Sequence, residues 1–142
     1  MSLNIKIYED DDNFRNLLAS FLDLQGYVVR AYSSPEAHPL IRSGGCPCYE
    51  EDPCAQVIIS DVNMPGMSGL EFVARLRENR CRVSRTALMS GSWTPEMKRT
   101  ADDLGCKIFE KPFQFREILD WLRDCATEID VFERDRRIAQ VG

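Results

Sequence analysis

The sequence has no apolar run close to the ~18–20 residues that a membrane-spanning helix requires. Its first residues also lack the basic segment and apolar core that mark a secretory signal. We therefore expect no membrane contact and a cytoplasmic location. The chain has 142 residues, 44% hydrophobic and 29% charged, which is the size and composition of one globular domain.

Basic residues are too few and too scattered for a nucleic-acid-binding surface. The 18 Lys and Arg are outnumbered by 23 Asp and Glu, so the net charge is −5. Binding phosphates of DNA or RNA requires clustered Lys and Arg, and the chain has only short clusters of arginine. These are Arg75, Arg77, Arg80 and Arg82, and then Arg134, Arg136 and Arg137. We expect no direct contact with nucleic acid.

The six cysteines do not have the even spread of a disulfide framework, and the chain has enough apolar residues for a core without one. We expect reduced thiols. Cys46, Cys48 and Cys54 with the single histidine, His38, could supply four zinc ligands. Their spacing matches no common pair of C-x₂-C knuckles, and this favours an inert or redox-sensitive loop. The remaining cysteines are predicted to be small packing residues: Cys81, Cys106 and Cys125.

Short apolar runs alternate along the chain with segments whose hydrophobic residues recur at helical spacing. Five such pairs are typical of βαβ units around a parallel sheet. Residues 43–54 are rich in Gly, Pro and acidic residues, which predicts an exposed loop. Several residues predict helix starts: Asp11 or Asp12, Ser34-Pro35, Ser68 with Glu71, and Thr94-Pro95.

The last predicted helix begins near Gln114 and contains no Gly or Pro before Gly142. Its apolar positions have a heptad-like spacing and are Ile118, Leu122, Cys125, Ile129 and Phe132. Two interpretations stay open. Either the early part of the helix packs on the sheet and the rest frays, or the helix extends into a coiled coil or partner-binding segment, which would allow a homodimer.

Charged or hydroxylic residues come just after four of the apolar runs: Glu9-Asp10, Asp61, Ser90 and Lys111. The carboxyl ends of parallel strands meet at one edge of a sheet, where open α/β folds build their sites. We therefore expect these groups to share a pocket. Each alone has a plain explanation as a helix cap, a turn residue or a surface lysine, so their joint placement is what indicates a site.

Three carboxylates in one pocket repel one another, so either one pKa is raised or a cation is bound. Mg²⁺, or Mn²⁺ in its place, suits such a pocket because it takes one or two carboxylates and completes its octahedron with water and phosphate oxygens. Asp61 could then act as a nucleophile that accepts a phosphoryl group. Lys111 would neutralise charge on that group, and Ser90 would donate a hydrogen bond to it.

These segments resemble the receiver domain of bacterial two-component response regulators, including the chemotaxis receivers. The likeness spans about residues 4–125 and rests on four segments: IKIYEDD from Ile5, ISDVNMPGMSG from Ile59, LMSG from Leu88 and EKPF from Glu110. It implies a flavodoxin-like α/β fold, a doubly wound sheet of five parallel strands in the order 2-1-3-4-5 with helices on both faces. The receiver domain would cover residues 1–125, and a helical extension over 126–142 could lead to an output domain.

The resemblance also implies the ligands of the metal. Asp61 is implied to be the phosphoacceptor and a metal ligand, with Asp10 as a direct ligand. Glu9 would be a second ligand acting through water, and the main-chain carbonyl of Asn63 a further one.

The remaining site residues follow from the same likeness. Ser90 corresponds to the family's switch hydroxyl and Lys111 to its lysine partner of the phosphate, with a cis bond before Pro112. The domain would be a signalling protein that catalyses its own phosphotransfer and dephosphorylation. A sensor histidine kinase or phosphotransfer protein would supply the phosphoryl group, and a downstream protein would read the change in contacts.

The sequence departs from the family pattern at Ile108, where the family often has an aromatic residue that moves with the switch hydroxyl. Phe109 is expected on the other face of the strand, because side chains alternate. Two other functions stay open: a binding module that keeps the fold without phosphorylation, and a phosphatase with an aspartate nucleophile. The phosphatase is disfavoured, because Asn63 stands where such enzymes have a second acid and cannot protonate a leaving group.

Overall fold

The computed structural model describes residues 3–46, 48 and 53–141. A single five-stranded parallel sheet forms its centre, with the order β2-β1-β3-β4-β5. The strands are β1 (Asn4–Tyr8), β2 (Val28–Tyr32), β3 (Val57–Asp61), β4 (Arg85–Ser90) and β5 (Lys107–Glu110). The predicted fold class and strand order are therefore confirmed.

Five α-helices connect and cover the strands: α1 (Asp12–Leu24), α2 (Pro39–Ser43), α3 (Gly69–Glu78), α4 (Pro95–Asp103) and α5 (Phe115–Val141). The predicted caps are confirmed. The side chains of Asp11, Ser68 and Thr94 each accept a hydrogen bond from a backbone N–H in the first turn of α1, α3 and α4. These caps fix where each helix leaves the edge of the sheet that carries the predicted site.

The two faces of the sheet are both covered. On one face, α1 and α5 pack on alternate residues of the central strands, such as Ile7, Ile59 and Met89. On the other face, α3 packs on Ile58 and Leu88 through its own buried apolar residues. All five residues of β3 are buried, as is typical of a central strand in a doubly wound sheet.

The second predicted helix is interrupted near its start. Ser34 caps a 3₁₀ turn over Pro35–Ala37, and α2 begins only at Pro39, with His38 as its own cap. A proline disfavours helical geometry in the residue before it, and His38 accordingly has extended backbone angles. The predicted helix start at Ser34-Pro35 is confirmed, and the break before Pro39 is a feature that the sequence pattern did not predict.

The last helix runs to Val141, which confirms the prediction of a helix from near Gln114 without interruption. Four of the five heptad-like positions, Ile118, Leu122, Cys125 and Ile129, are buried in the core formed with α1 and the sheet. Phe132 is exposed, as is Ile138. The spacing that looked like a coiled-coil pattern is thus used mostly for packing within the domain, and Ile129 extends that packing past residue 125.

The predicted loop at 43–54 is only partly described, because Pro47 and residues 49–52 lie outside the described residues. Ser43 ends α2, and Gly44 has a left-handed backbone conformation that closes the helix. In the described part of the chain, no helix is long and apolar enough to span a bilayer.

Candidate functional site

The predicted site residues meet at the carboxyl edge of the sheet. Glu9 follows β1, Asp61 ends β3, Ser90 ends β4, and Lys111 follows β5. Oxygen atoms of Glu9, Asp10 and Asp61 all lie within 4.8 Å of one another. Glu9 and Asp61 are buried, and Asp10 is exposed at the mouth. The parallel strands therefore bring residues from widely separated segments together, as predicted from the sequence.

Lys111 contacts both buried carboxylates. Its Nζ lies 2.5 Å from Oε1 of Glu9 and 3.2 Å from Oδ1 of Asp61. The same ammonium lies 4.3 Å from the centre of the Phe14 ring, close enough for a cation–π contact. The peptide bond between Lys111 and Pro112 is cis, which confirms that expectation. Lys111 is thus held between two carboxylates and an aromatic face.

Burial sets the pKa values in this pocket. It raises the pKa of Glu9 to about 7, an effect that the hydrogen bond from Lys111 only partly offsets and that the charge of Asp61 reinforces. Burial also raises the pKa of Asp61, against the attraction of Lys111. The pKa of Lys111 is raised because both carboxylates favour its charged form, although burial opposes this. The pocket therefore holds more negative charge than its one ammonium neutralises, and a cation would relieve this.

We expect the metal-free protein to lose stability as the pH rises from about 5 to 8. The pKa of Glu9 is near 4.5 when unfolded and about 7 when folded, so the folded state holds the proton more tightly. The resulting stabilisation is complete below the unfolded pKa and is lost as the pH rises through the folded one. With Glu9→Gln the loss should be smaller, by on the order of 2 kcal/mol between pH 5 and 8.

Urea unfolding of both proteins with a chelator present, at several pH values, measures this difference. The matched control is Glu96→Gln, which makes the same chemical change at an exposed acid in the first turn of α4, outside the pocket. Parallel curves for wild type and Glu9→Gln would contradict the role given to the buried carboxyl.

The Ser90 hydroxyl is buried and already positioned by neighbours. Its Oγ accepts hydrogen bonds from Nδ2 of Asn63 at 2.9 Å and from the backbone N–H of Ser92 at 3.0 Å. These two bonds use the oxygen as an acceptor, so the hydroxyl hydrogen is not needed for either of them. The sequence pattern implies a role for the main-chain carbonyl of Asn63 and gives no sign of this contact of its side chain.

Gly69 is a further residue that the site depends on. A Cβ atom at this position would lie 2.3 Å from the backbone oxygen of Asp61 and 3.1 Å from the side chain of Leu88. The N–H of Gly69 also donates to the carbonyl of Val62 at 3.0 Å. The first turn of α3 thus packs directly on the backbone of Asp61, and only glycine leaves room for this.

Ile108 and Phe109 lie on opposite faces of β5, as predicted. Phe109 is buried in the core with α1 and α5, and Ile108 packs with residues on the α4 side. Trp93, from the loop between β4 and α4, packs on that same side. Its indole N–H donates to the backbone oxygen of Phe109 at 3.0 Å. An aromatic ring is therefore present beside Ile108, although it comes from another segment.

The donor set of the pocket fits a hard divalent cation. Mg²⁺ prefers oxygen ligands and binds through one or two carboxylates with several waters. The cluster provides carboxylate oxygens from three residues, one of them open to solvent. Fold and pocket together define a class: flavodoxin-like α/β domains with an acidic pocket and a lysine at the carboxyl edge of the sheet.

The chain belongs to the response regulator receiver domain family, whose family model matches residues 5–123. Members of this family act in two-component signalling, where they interact with histidine kinases or phosphotransfer proteins. The resemblance stated from the four sequence segments is thereby confirmed.

Among curated proteins, the chain is similar to the transcriptional regulatory protein FixJ of Azorhizobium caulinodans, with 32% identity over 128 residues. That match covers 86% of this chain and 54% of the relative. The sensory/regulatory protein RpfC of Xanthomonas campestris is 29% identical over 129 residues, which cover 88% of this chain and 17% of RpfC. The chain spans about half the length of FixJ and a smaller share of RpfC.

Solved structures support the fold. Chemotaxis protein CheY4 of Vibrio cholerae matches with a TM-score of 0.70 at 24% identity, covering 88% of this chain and 99% of that chain. The crystal structure of FixJ-N matches with a TM-score of 0.72 at 24% identity, covering 89% and 95%.

Proposed function

We propose that this domain accepts a phosphoryl group on Asp61 and thereby changes its contacts with other proteins. The observation that carries the proposal is the surroundings of this carboxylate. Asp61 is buried, is paired with Lys111 at 3.2 Å, and lies within 4.8 Å of two further carboxylates. A carboxylate in such a pocket is suited to covalent catalysis, because the lysine can neutralise the incoming charge.

The transfer we propose forms a bond between an Asp61 carboxylate oxygen and phosphorus while the bond from phosphorus to the donor nitrogen or oxygen breaks. Lys111 already lies beside Asp61 and would pair with an oxygen of the transferred group. Ser90 would donate its hydroxyl hydrogen to another oxygen, since its acceptor positions are filled by Asn63 and Ser92. Hydrolysis of the acyl phosphate by water would return the pocket to its starting state.

Glu9, Asp10 and Asp61 are the residues that would hold Mg²⁺, or Mn²⁺, in this pocket. The main-chain carbonyl of Asn63 is proposed as a further ligand, and Glu9 as one that acts through water. When bound, the cation would neutralise the carboxylates and the phosphoryl oxygens. Asp10 is exposed at the mouth of the pocket, so solvent and a phosphoryl donor both have access to this side.

The proposed donor is a sensor histidine kinase or a phosphotransfer protein, acting in the cytoplasm, and the proposed reader is a downstream protein. We propose a receiver domain over residues 1–125 and a helical extension over 126–142 that could link to an output domain. The exposed Phe132 and Ile138 lie on this extension, where they could support the hypothesised homodimer. The net charge of −5 supports the expectation that the domain does not itself bind nucleic acid.

Incubation with acetyl phosphate and Mg²⁺, followed by intact mass measurement, tests this proposal. We expect the wild type to gain one phosphoryl group and to lose the gain when Mg²⁺ is chelated. Asp61→Asn should gain none, because an amide cannot form the acyl phosphate.

The matched control is Asp23→Asn, since Asp23 is an exposed acid near the end of α1, at the opposite end of that helix from the pocket. It should be phosphorylated like the wild type. If no protein gains a phosphoryl group under any condition, the domain acts as a binding module without phosphorylation. If Asp61→Asn gains one, another residue is the acceptor.

A further inference from the structure

Four cysteine sulfurs meet on the face of the sheet covered by α2 and α3. Cys46 and Cys48 follow α2, Cys54 precedes β3, and Cys81 lies between α3 and β4. The four residues belong to one hydrophobic cluster with Tyr8 and Phe72. All are free cysteines. Sequence spacing had grouped the first three with His38 and had treated Cys81 as a separate packing residue, whereas the fold brings Cys81 into contact with them.

Four of the six sulfur–sulfur separations are close to the edge length of a metal–thiolate tetrahedron. Around the cluster, the distances are 3.3 Å from Cys46 to Cys48, 3.8 Å from Cys48 to Cys81, 3.6 Å from Cys81 to Cys54, and 3.9 Å from Cys54 to Cys46. A tetrahedron with a zinc–sulfur bond of ~2.3 Å has edges of about 3.8 Å. The distances are too long for disulfide bonds of ~2.05 Å. One metal ion would therefore fit among the sulfurs with small movements.

His38 stands beside this cluster as a hydrogen-bond donor. Its Nδ1 accepts from the backbone N–H of Leu40 at 3.0 Å, so in the neutral ring the hydrogen is on Nε2. Nε2 lies 3.3 Å from the sulfur of Cys54 and can donate to it. Because a nitrogen that carries its hydrogen cannot bind a metal, this arrangement favours four sulfur ligands with His38 outside them.

A backbone group is placed to stabilise negative sulfur. The backbone N–H of Cys54 donates to the sulfur of Cys48 at 3.0 Å. A thiolate sulfur accepts hydrogen bonds better than a neutral thiol does, so this N–H would stabilise a metal-bound Cys48.

We propose that Cys46, Cys48, Cys54 and Cys81 bind one Zn²⁺ ion in a tetrahedral site of four thiolates. Four soft ligands with no open position are typical of a structural zinc site. The ion would join the loop after α2 to the connection between α3 and β4. Those cysteines precede β3 and β4, whereas Asp61 and Ser90 end the same strands, so the site is separate from the carboxylate pocket.

The test begins with the zinc content of the full chain, purified and desalted under reducing conditions. We expect one zinc per chain. Replacement by Co²⁺ should give the intense visible bands of a tetrahedral ion together with sulfur-to-cobalt charge-transfer absorption. Affinity is then measured by competition with a coloured chelator.

Cys81→Ser removes a proposed zinc ligand. Loss of a hydrogen-bond partner of a ligand weakens metal binding by ~10–100-fold, and we expect loss of the ligand itself to weaken zinc binding by more than that. Cys106→Ser is the matched control, because Cys106 is half-buried and contacts Thr86 outside the four-cysteine cluster. The zinc affinity of this variant should be unchanged.

His38→Gln should weaken zinc binding by roughly tenfold and keep the cobalt spectrum. Circular dichroism checks the fold of each variant, and Cys46→Ser, on the loop, repeats the test if Cys81→Ser does not fold.

Several outcomes would overturn the proposal. They are four reduced thiols with no zinc or cobalt bound, a disulfide among these cysteines in freshly purified protein, or unchanged zinc affinity in a folded Cys81→Ser or Cys46→Ser protein. A wild-type cobalt spectrum of three thiolates and one nitrogen that changes in His38→Gln would show that His38 is a ligand and would also contradict the site as proposed.

Discussion

Lys111→Met should lower the rate of phosphorylation by acetyl phosphate by on the order of 100-fold. The ammonium of Lys111 is the cation in contact with both Glu9 and Asp61. Methionine has a similar length but no charge, so the phosphoryl oxygens would lose their partner in the transfer. We expect the opposite effect on Mg²⁺ affinity, because the carboxylates would no longer be neutralised by a competing positive charge.

Rates follow from intact mass against time, and Mg²⁺ affinity follows from tryptophan fluorescence or from the shift in Tm. The matched control is Lys98→Met, since Lys98 is an exposed lysine that pairs with Glu110 outside the pocket. Its rate and Mg²⁺ affinity should equal those of the wild type. A Lys111→Met protein that is phosphorylated at the normal rate would remove Lys111 from the proposed chemistry.

Gly69→Ala should destabilise the domain by about 1–3 kcal/mol, the range for overpacking a well-filled core. The added methyl would lie 2.3 Å from the backbone oxygen of Asp61, so either α3 or the end of β3 must shift. Both segments are held by hydrogen bonds, including Val62 N–H to the Met89 carbonyl at 2.8 Å. Because Asp61 itself would move, we also expect slower phosphorylation.

Urea unfolding measures the change in free energy, and Gly45→Ala is the matched control. A Cβ at Gly45 would meet no atom within 4 Å, and its backbone conformation is one that alanine can adopt. We expect a change within about 0.5 kcal/mol there. Equal stability of the two variants would show that α3 does not pack on Asp61 as described.

Much of the carboxylate pocket could be predicted from sequence, because residues at the carboxyl ends of parallel strands lie at the same edge of the sheet. Asp61, Ser90 and Lys111 each follow an apolar run, and a parallel sheet must bring such positions to one edge. The caps of α1, α3 and α4 could be predicted for a similar reason, since they depend on local hydrogen bonds. Local patterns therefore predict both the fold class and the edge of the sheet where these side chains meet.

Contacts between distant side chains could not be predicted in the same way. The space that Gly69 leaves for Asp61 and the bond from Asn63 to Ser90 depend on loop geometry that no periodic pattern encodes. Cys81 is a similar case, since 27 residues separate it from Cys54 and only the adjacent strands β3 and β4 bring the two sulfurs together. The sequence shows which residues could form a site, and the packing of the strands brings some of them into contact.

The long helix α5 shows how one pattern can serve two structures. A heptad-like spacing fits a coiled coil, and it also fits a helix lying across a sheet, because both bury one stripe of the helix. Burial of Ile118, Leu122 and Ile129 within the domain shows that packing on the sheet uses this stripe first. Phe132 is the one position of the stripe that is exposed.

The central claim, that Asp61 is the phosphoacceptor, is tested most directly by mapping the modified residue. Protein treated with acetyl phosphate and Mg²⁺ is reduced with borohydride, which converts an aspartyl phosphate to homoserine, and is then digested for peptide mass sequencing. The account predicts homoserine at position 61 and at no other aspartate. Homoserine at Asp10 or another acid, or none in protein that has gained a phosphoryl group, would contradict it.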